Sequence, residues 1–455
     1  MKELNALSRR QFLKLTGMTV AATAVAACAA PGAPGAPAAT TGGAASPAGE
    51  TVTLRYRTWH ARASSAGDGA WYDWLTANYK DAKIEYEFVP FGAEYIQKVL
   101  ADSAAGTPPD LLHSSIVWAR EFYDRGVLLD LDDFISSTPA LAADQFYGDA
   151  TTSYRSKNGK FYGVPWEGPD SSVIAVNSTM LKEAGFDPKG TDIKTWDNFV
   201  DAAKAMTKKN GDEVTQAGYL VQNYRDIQTF NSWLVSDGGE MHDADFAKAT
   251  FNNDRGLQVL QMELDLLNKD KVSFPISPDR QDDQLFLQGK AAMIHAGTWS
   301  TASLEDQKPE GFEYWYIIFP QGPQGAGKAG TTWSNMFVLP KATKTTDAAW
   351  NLMKFCTTPP AVITRFELST RTTPLKAIFD SPKWSEVLKK APQRAMTIPA
   401  AEAGGVYPFF PFYTEANDAI GIELEQVMTA GKDPQEALTA AETKVNEIIA
   451  RRKSA

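Results

Sequence analysis

Two cysteines in 455 residues leave little redox chemistry to build with. Cys28 lies in what reads as a targeting segment, so the folded body keeps a single thiol, Cys356. That excludes an internal disulfide and a cysteine-based metal site. Histidine is as scarce: there are 4 (His60, His113, His242 and His295), with no H-x-x-x-H pair to set two imidazoles on one helical face. No G-x-S-x-G elbow occurs. The glycine-rich run Gly322 to Lys328 has no Ser or Thr after its lysine and no strand-to-helix context, so it is a poor phosphate loop. Clustered Lys and Arg are missing outside Arg451-Arg452-Lys453, and the net charge is −10. The first 27 residues hold Lys2, Arg9, Arg10 and Lys14 against Glu3, so the remainder carries −13. A duplex-binding surface needs clustered cations to displace counterions, so nucleic acid is not expected as a partner. Neither a cofactor nor a metal is called for by any motif, and no apolar run reaches the roughly 20 residues of a spanning helix.

The N-terminus reads as an address. Ser8-Arg9-Arg10-Gln11-Phe12-Leu13-Lys14 carries twin arginines before hydrophobic residues, the pattern of a Tat export signal. Leu15 to Ala27 fits a signal h-region, and Val25-Ala26-Ala27-Cys28 resembles a lipobox, with Cys28 as the lipidation site. Residues 1–27 are therefore assigned to a signal peptide and 28–49 to a tether, because Ala29 to Gly49 is almost entirely Ala, Gly, Pro, Ser and Thr and cannot form a core. The expected location is the outer face of the cytoplasmic membrane, or the periplasm.

From Thr51 onward the patterning is globular. Thr51 to Trp59 alternates as a first strand ending on Trp59-His60, Trp71 to Lys80 has helical spacing, and Lys83 to Val89 alternates again. A helix from Tyr95 to Ala105 then leads through Gly106 to Pro109-Asp110-Leu111-Leu112. This order predicts a parallel sheet covered by helices. Asn158-Gly159-Lys160 signals a turn, Phe161 to Pro165 a strand, Trp166 to Asp170 a connection, and Ser172 to Asn177 another strand. Thr195 is placed to cap a helix opening at Trp196. Asp282 to Phe286 reads as a helix, Gly289 as the left-handed residue beyond it, and Ala291 to Ile294 as a buried strand. Gly297 reads as a turn delivering Trp299 past the strand's carboxyl end, where ligands collect in open α/β sheets. Further on, Pro320 to Gly330 is a loop, Met336 to Leu339 a strand, Thr346 to Cys356 a helix, and Asp433-Pro434 starts the last helix.

The pieces F-x-x-G-x-A-A-M followed by G-x-W (Phe286 to Trp299), P-D-L-L (Pro109 to Leu112), T-W-x-x-F (Thr195 to Phe199) and D-P-x-E-A-L (Asp433 to Leu438) resemble the sugar-binding solute receptors of bacterial ABC importers, the maltose-binding-protein-like family. The resemblance implies a two-lobed α/β fold of the periplasmic-binding-protein kind, each lobe a mostly parallel sheet flanked by helices, joined by three crossovers. It implies an N-terminal lobe of residues 50–165 and 330–358 and a C-terminal lobe of 166–329 and 359–455. It further implies a monomeric, non-enzymatic receptor, anchored by lipid, that binds a small carbohydrate and docks on ABC permease subunits.

The 12 tryptophans supply a reading of their own, since several stand at strand ends or in loops rather than on helix core faces. Indole faces suit the apolar face of a sugar ring, while its hydroxyls need fixed donors and acceptors. Combined with the family motifs, the candidate ligand-binding set is Trp59, His60, Ser114, Ser115, Trp118, Trp166, Glu167, Asp170, Gln228, Trp233, Trp299, Trp333, Arg371 and Tyr413. Where the family often places an acidic residue after the P-D-L-L strand, this chain has His113-Ser114-Ser115, which blurs the identity of any sugar. Two other readings stay open: a carbohydrate-cleaving hydrolase using Glu167 and Asp170, and the same fold holding a non-sugar solute such as a glycerophosphodiester or a polyamine.

Overall fold

The computed structural model describes Thr51 to Lys453, apart from residues 148–154, 157, 223, 225–226, 245, 278, 326, 370, 407–409 and 411. The signal segment 1–27, the tether 28–49 and Cys28 lie outside the described residues. Among the described residues no helix is long and apolar enough to cross a membrane.

Strand β1 (Thr53–Thr58) forms because Leu54 and Tyr56 alternate with polar residues, and both are fully buried. Arg57, on the other face, is also buried and is compensated by Glu87 and Asp102. Strand β1 pairs in parallel with β2 (Lys83–Phe88) and β3 (Leu111–Ser114). The connecting helices are α1 (Ala66–Asn78), capped by the Ser65 hydroxyl, and α2 (Ala93–Ala104). Helix α3 (Ile116–Asp124) follows β3 directly. Trp71, Tyr72 and Leu75 of α1 join Tyr56 and Leu112 in a first core. Each such fully buried side chain contributes about 1.5–3 kcal/mol.

The two lobes share one long strand, β4 (Val164–Asn177), whose 14 residues are all buried. Its first half pairs antiparallel with β7 (Thr331–Val338). Its second half lies between β5 (Met293–Gly297) and β6 (Tyr314–Ile317), antiparallel to both. The pleat sorts the second half: Ile174 and Val176 face a core with α4 (Trp196–Met206), α5 (Gln228–Ser236), α6 (Asp254–Leu264), α10 (Tyr413–Ala430) and α11 (Pro434–Lys453), while Val173 and Ala175 face a smaller cluster with Ile294 and Tyr316. The sheet order is β2-β1-β3-β7-β4-β5, with β6 also on β4. Helices α7 (Thr346–Thr357), α8 (Ala361–Ser369) and α9 (Pro382–Lys390) follow β7.

Four expectations are corrected here. Trp166 to Asp170 is not a loop between strands but the middle of β4, because both sides of this stretch find ladder partners that a single chain cannot show. The strands β5 and β6 of the second lobe pair antiparallel to β4, whereas β2-β1-β3 is parallel, so the mostly parallel arrangement describes the first lobe's strands and not those flanking β4. Gly297 is the last residue of β5 with an extended backbone, φ −134°, not a turn. The third crossing does not fall at 358/359: Ala361, Phe366 and Ile378 are buried in the first core, and the chain joins the second lobe's clusters with Ala400 and Phe410. Pro359 and Pro360 end α7 without changing lobe, since proline stops a helix but packing decides where the chain goes next.

Candidate functional site

A cavity of about 550 Å³ lies between the lobes, within the range of small-molecule sites. Its first wall comes from the end of β1 (Trp59, His60), the Pro90-Phe91-Gly92 turn before α2, and the start of α3 (Ser115, Trp118). Gln228 opens α5 on the second lobe, Trp299 follows β5, and Tyr413 begins α10. The floor is Glu167 and Asp170 from β4, Trp333 and Asn335 from β7, and Arg371.

Glu167 and Asp170 are three residues apart, so in a regular strand they would face opposite sides. The register of β4 against β7 shifts on both sides of Glu167, between Pro165 and Glu167 and again before Asp170. Such bulges re-aim side chains, and here both carboxylates reach the cavity. Gly168, at φ +129°, sits between them where a Cβ would come within 2.6 Å of Ser334 Oγ. A second glycine positions the opposite wall: a Cβ on Gly297 would lie 2.0 Å from the Trp299 ring. That ring therefore folds back over Gly297 and meets Trp333 at 4.9 Å between centroids, tilted by 46°.

Charge on the floor is organised by Arg371. Its Nε and Nη2 donate to the two oxygens of Asp68 at 2.9 and 3.0 Å, and Nη1 donates to Glu167 Oε1 at 3.1 Å. Bidentate, charge-assisted pairs of this kind are the strong ones. Glu167 Oε2 faces His60 Nε2 at 2.9 Å and His113 Nε2 at 3.3 Å. Burial by itself pushes Glu167 up, but His60, Arg371 and Arg365 overcome this and hold its carboxyl well below the ordinary range. Asp170 goes the other way: burial, then the charge of Glu167, push it up to about 8. The floor thus carries one carboxylate and one carboxylic acid at neutral pH, an acceptor and a donor side by side. Burial pushes His113 down to about 3, so its imidazole is neutral.

A family model described as bacterial extracellular solute-binding protein matches residues 51–363, more than half of the chain. The chain belongs to this family. Among the relatives of this solute-binding protein is the arabinooligosaccharide-binding protein of Bacillus subtilis (strain 168), 27% identical over 290 residues, 61% of this chain and 63% of that one. The matched part thus spans just under two thirds of that relative's length. The galactooligosaccharide-binding protein of the same organism is 23% identical over 386 residues, 82% of this chain and 84% of the other. Maltose-bound MalE3 of T. maritima superposes with a TM-score of 0.75 at 20% identity, covering 88% of this chain and all of that one. UgpB of Mycobacterium tuberculosis, in complex with glycerophosphocholine, gives 0.76 at 17% identity over 89% of this chain and all of the other. At these identities the superpositions establish the fold, two-lobed and α/β.

In this solute-binding protein the cavity gathers Trp59, His60, Ser115, Trp118, Glu167, Asp170, Gln228, Trp299, Trp333, Arg371 and Tyr413 of the sequence-derived set. Three others are corrected. Trp166 is buried below the floor, stacked on Phe337 at 4.1 Å with the Arg365 guanidinium 3.8 Å above its ring. Trp233 is fully buried in the second lobe against Phe199 and Phe319. Ser114 is buried and spends its hydroxyl on the Ser115 carbonyl. Sequence reasoning missed Phe91, Asn335 and Asn417, which also line the cavity. Phe91 is 60% exposed, and an aromatic in a Pro-x-Gly turn was the available signal. Asn335 shares strand parity with Trp333 and follows once β7 is begun at Thr331 rather than Met336.

Proposed function

We propose that this chain is the substrate-binding component of an ABC importer, which captures a sugar or short oligosaccharide between its lobes and delivers it to a membrane permease. The observation that carries the reading is the pairing of aromatic faces from both lobes (Trp59, Trp118, Trp299, Trp333, Tyr413) with a fixed polar floor (Glu167, Asp170, Asn335, Arg371) in one cavity of about 550 Å³. The names of the arabinooligosaccharide- and galactooligosaccharide-binding relatives support the ligand class. A ligand touching both walls favours the closed arrangement by its differential contacts, and closure is by hinge motion at the crossings.

An anionic solute such as a glycerophosphodiester fits less well. Arg371 is the one Lys or Arg among the described lining residues, and two carboxylates already hold it. Hydrolysis is disfavoured because Glu167 is clamped by Arg371 and His60, which leaves it no free role as acid or nucleophile. The protein is further proposed to be an exported monomer, held at the membrane by lipid on Cys28. A thermal-shift screen with mono- and oligosaccharides tests the main reading, since bound ligand raises the melting temperature by mass action. A shift without product release is expected; no shift with any glycan, or released product, removes the proposal. Cys28→Ala is expected to move the mature protein from membrane to medium on fractionation.

A further inference from the structure

His60, His113 and Glu167 lie far apart in the chain and on three elements: just past β1, within β3, and at the bulge of β4. We propose that together they form a site for a single zinc-class divalent ion, with one coordination position open to the cleft. His60 Nε2 and His113 Nε2 stand 2.9 and 3.3 Å from the same oxygen, Glu167 Oε2, and the three donor atoms lie within 4.8 Å of one another. A tetrahedral zinc bound at about 2.0–2.2 Å separates its donors by roughly 3.3–3.6 Å. An ion therefore fits once His60 Nε2 moves out from Glu167 Oε2 by a few tenths of an ångström and the two imidazole nitrogens, within 4.8 Å of each other, settle at the same spacing. Two imidazoles and one carboxylate, with a fourth position left open, is the donor set of an open zinc site.

A second observation points to the same occupant. His113 is fully buried, and among the described residues its Nε2, 3.3 Å from Glu167 Oε2, meets no partner in hydrogen-bond geometry. Buried polar atoms rarely go unpaired. The other ring nitrogen, Nδ1, lies 3.2 Å from Thr58 Oγ1, an oxygen that also accepts from the His60 backbone N–H at 3.2 Å. With Nδ1–H donating to Thr58, Nε2 presents its lone pair to the cluster, as ligating histidines held from behind by an oxygen do. Trp59 stacks on the His113 ring at 3.6 Å and fixes its plane.

The neighbouring cations do not block the site. Arg371 and Arg365 address Glu167 Oε1, at 3.1 and 3.5 Å, and leave Oε2 to the histidines. Arg371 is matched in charge by Asp68. His60 and Glu167 both line the cleft, so the open position would take a water, or a hydroxyl or carboxylate oxygen of a bound solute.

The test uses the full chain, stripped with a chelator and titrated with Zn²⁺ or Co²⁺ alone, in the absence of any sugar, so that it stands apart from the proposed transport role. One equivalent is expected to bind, with visible cobalt absorption of an imidazole and carboxylate site and no sulfur-to-metal band from a thiolate. His60→Gln, checked by its unfolding curve to be folded, should weaken the ion by at least about tenfold, the scale on which even outer partners of a metal act. His242→Gln, in the second lobe, should leave affinity and stoichiometry as they were. Failure to bind one equivalent, or equal affinity in His60→Gln, overturns the site and identifies the cluster as a hydrogen-bond network only.

Discussion

Arg371 joins residues 303 and 204 positions away in sequence, Asp68 and Glu167, at the base of the cleft. Both carboxylates are buried, so Arg371→Ala leaves Asp68 without its guanidinium and Glu167 with Arg365 alone, at 3.5 Å. The expected loss is about 3–5 kcal/mol, the range for breaking a buried ion pair from one side, read as a lower urea midpoint with an unchanged slope. Arg371→Lys should recover part of it, because an ammonium cannot fork to both partners. Trp299 is the opposite kind of residue, half-buried and with no such ion pair among the described residues. Stacking on an aromatic face is worth roughly 1–3 kcal/mol, so Trp299→Ala should weaken ligand binding at least about tenfold by calorimetry while the unfolding midpoint barely moves. At this scale the sequence was informative wherever an aromatic followed a strand, as at Trp59 and Trp299. It misled at Trp166 and Trp233, because an indole suits a core and a ligand wall equally and only the neighbours tell them apart.

Elements aim these residues. Strand β5 ends on Gly297, and the absent Cβ is the space that the Trp299 ring fills. Gly297→Ala should therefore act mainly on the ligand: affinity falls about as far as in Trp299→Ala, with an overpacking cost of about 1–3 kcal/mol in thermal unfolding. An alanine variant that binds as tightly as the parent would show that the ring has another rotamer available. The glycine was legible in the sequence, but its reason was not, since a left-handed turn and a missing Cβ look alike in one letter. Strand β4 makes a similar point. Its bulge sets Glu167 and Asp170 on one side, and no local pattern announces a bulge whose partner strand lies more than 160 residues later.

For the molecule as a whole, one buried acid outside the cleft sets a pH dependence. Glu263 is fully buried in the second lobe, and burial pushes its carboxyl up to about 8, partly offset by Tyr224, Trp233 and Tyr219. In the unfolded chain the same group titrates in the ordinary carboxylate range. Between these values the folded state holds the extra proton, so stability is full below the ordinary range and falls as pH rises toward about 8. Glu263→Gln should flatten that slope and be the more stable form at pH about 8–9, as urea unfolding across the range would measure. A slope identical to the parent's would assign the pH dependence elsewhere.

The sequence by itself determined the class of fold, the order of its motifs, and the residue types of a ligand site, because strand alternation, helix caps and aromatic residues at strand ends are local properties. Only the tertiary structure decided which tryptophans face the cleft, where the chain crosses between lobes, and that His60, His113 and Glu167 meet at a single oxygen. The last of these joins residues about a hundred positions apart. All three arise from strand pairing and packing between separate segments, and such proximity leaves no local signature in the sequence of one chain.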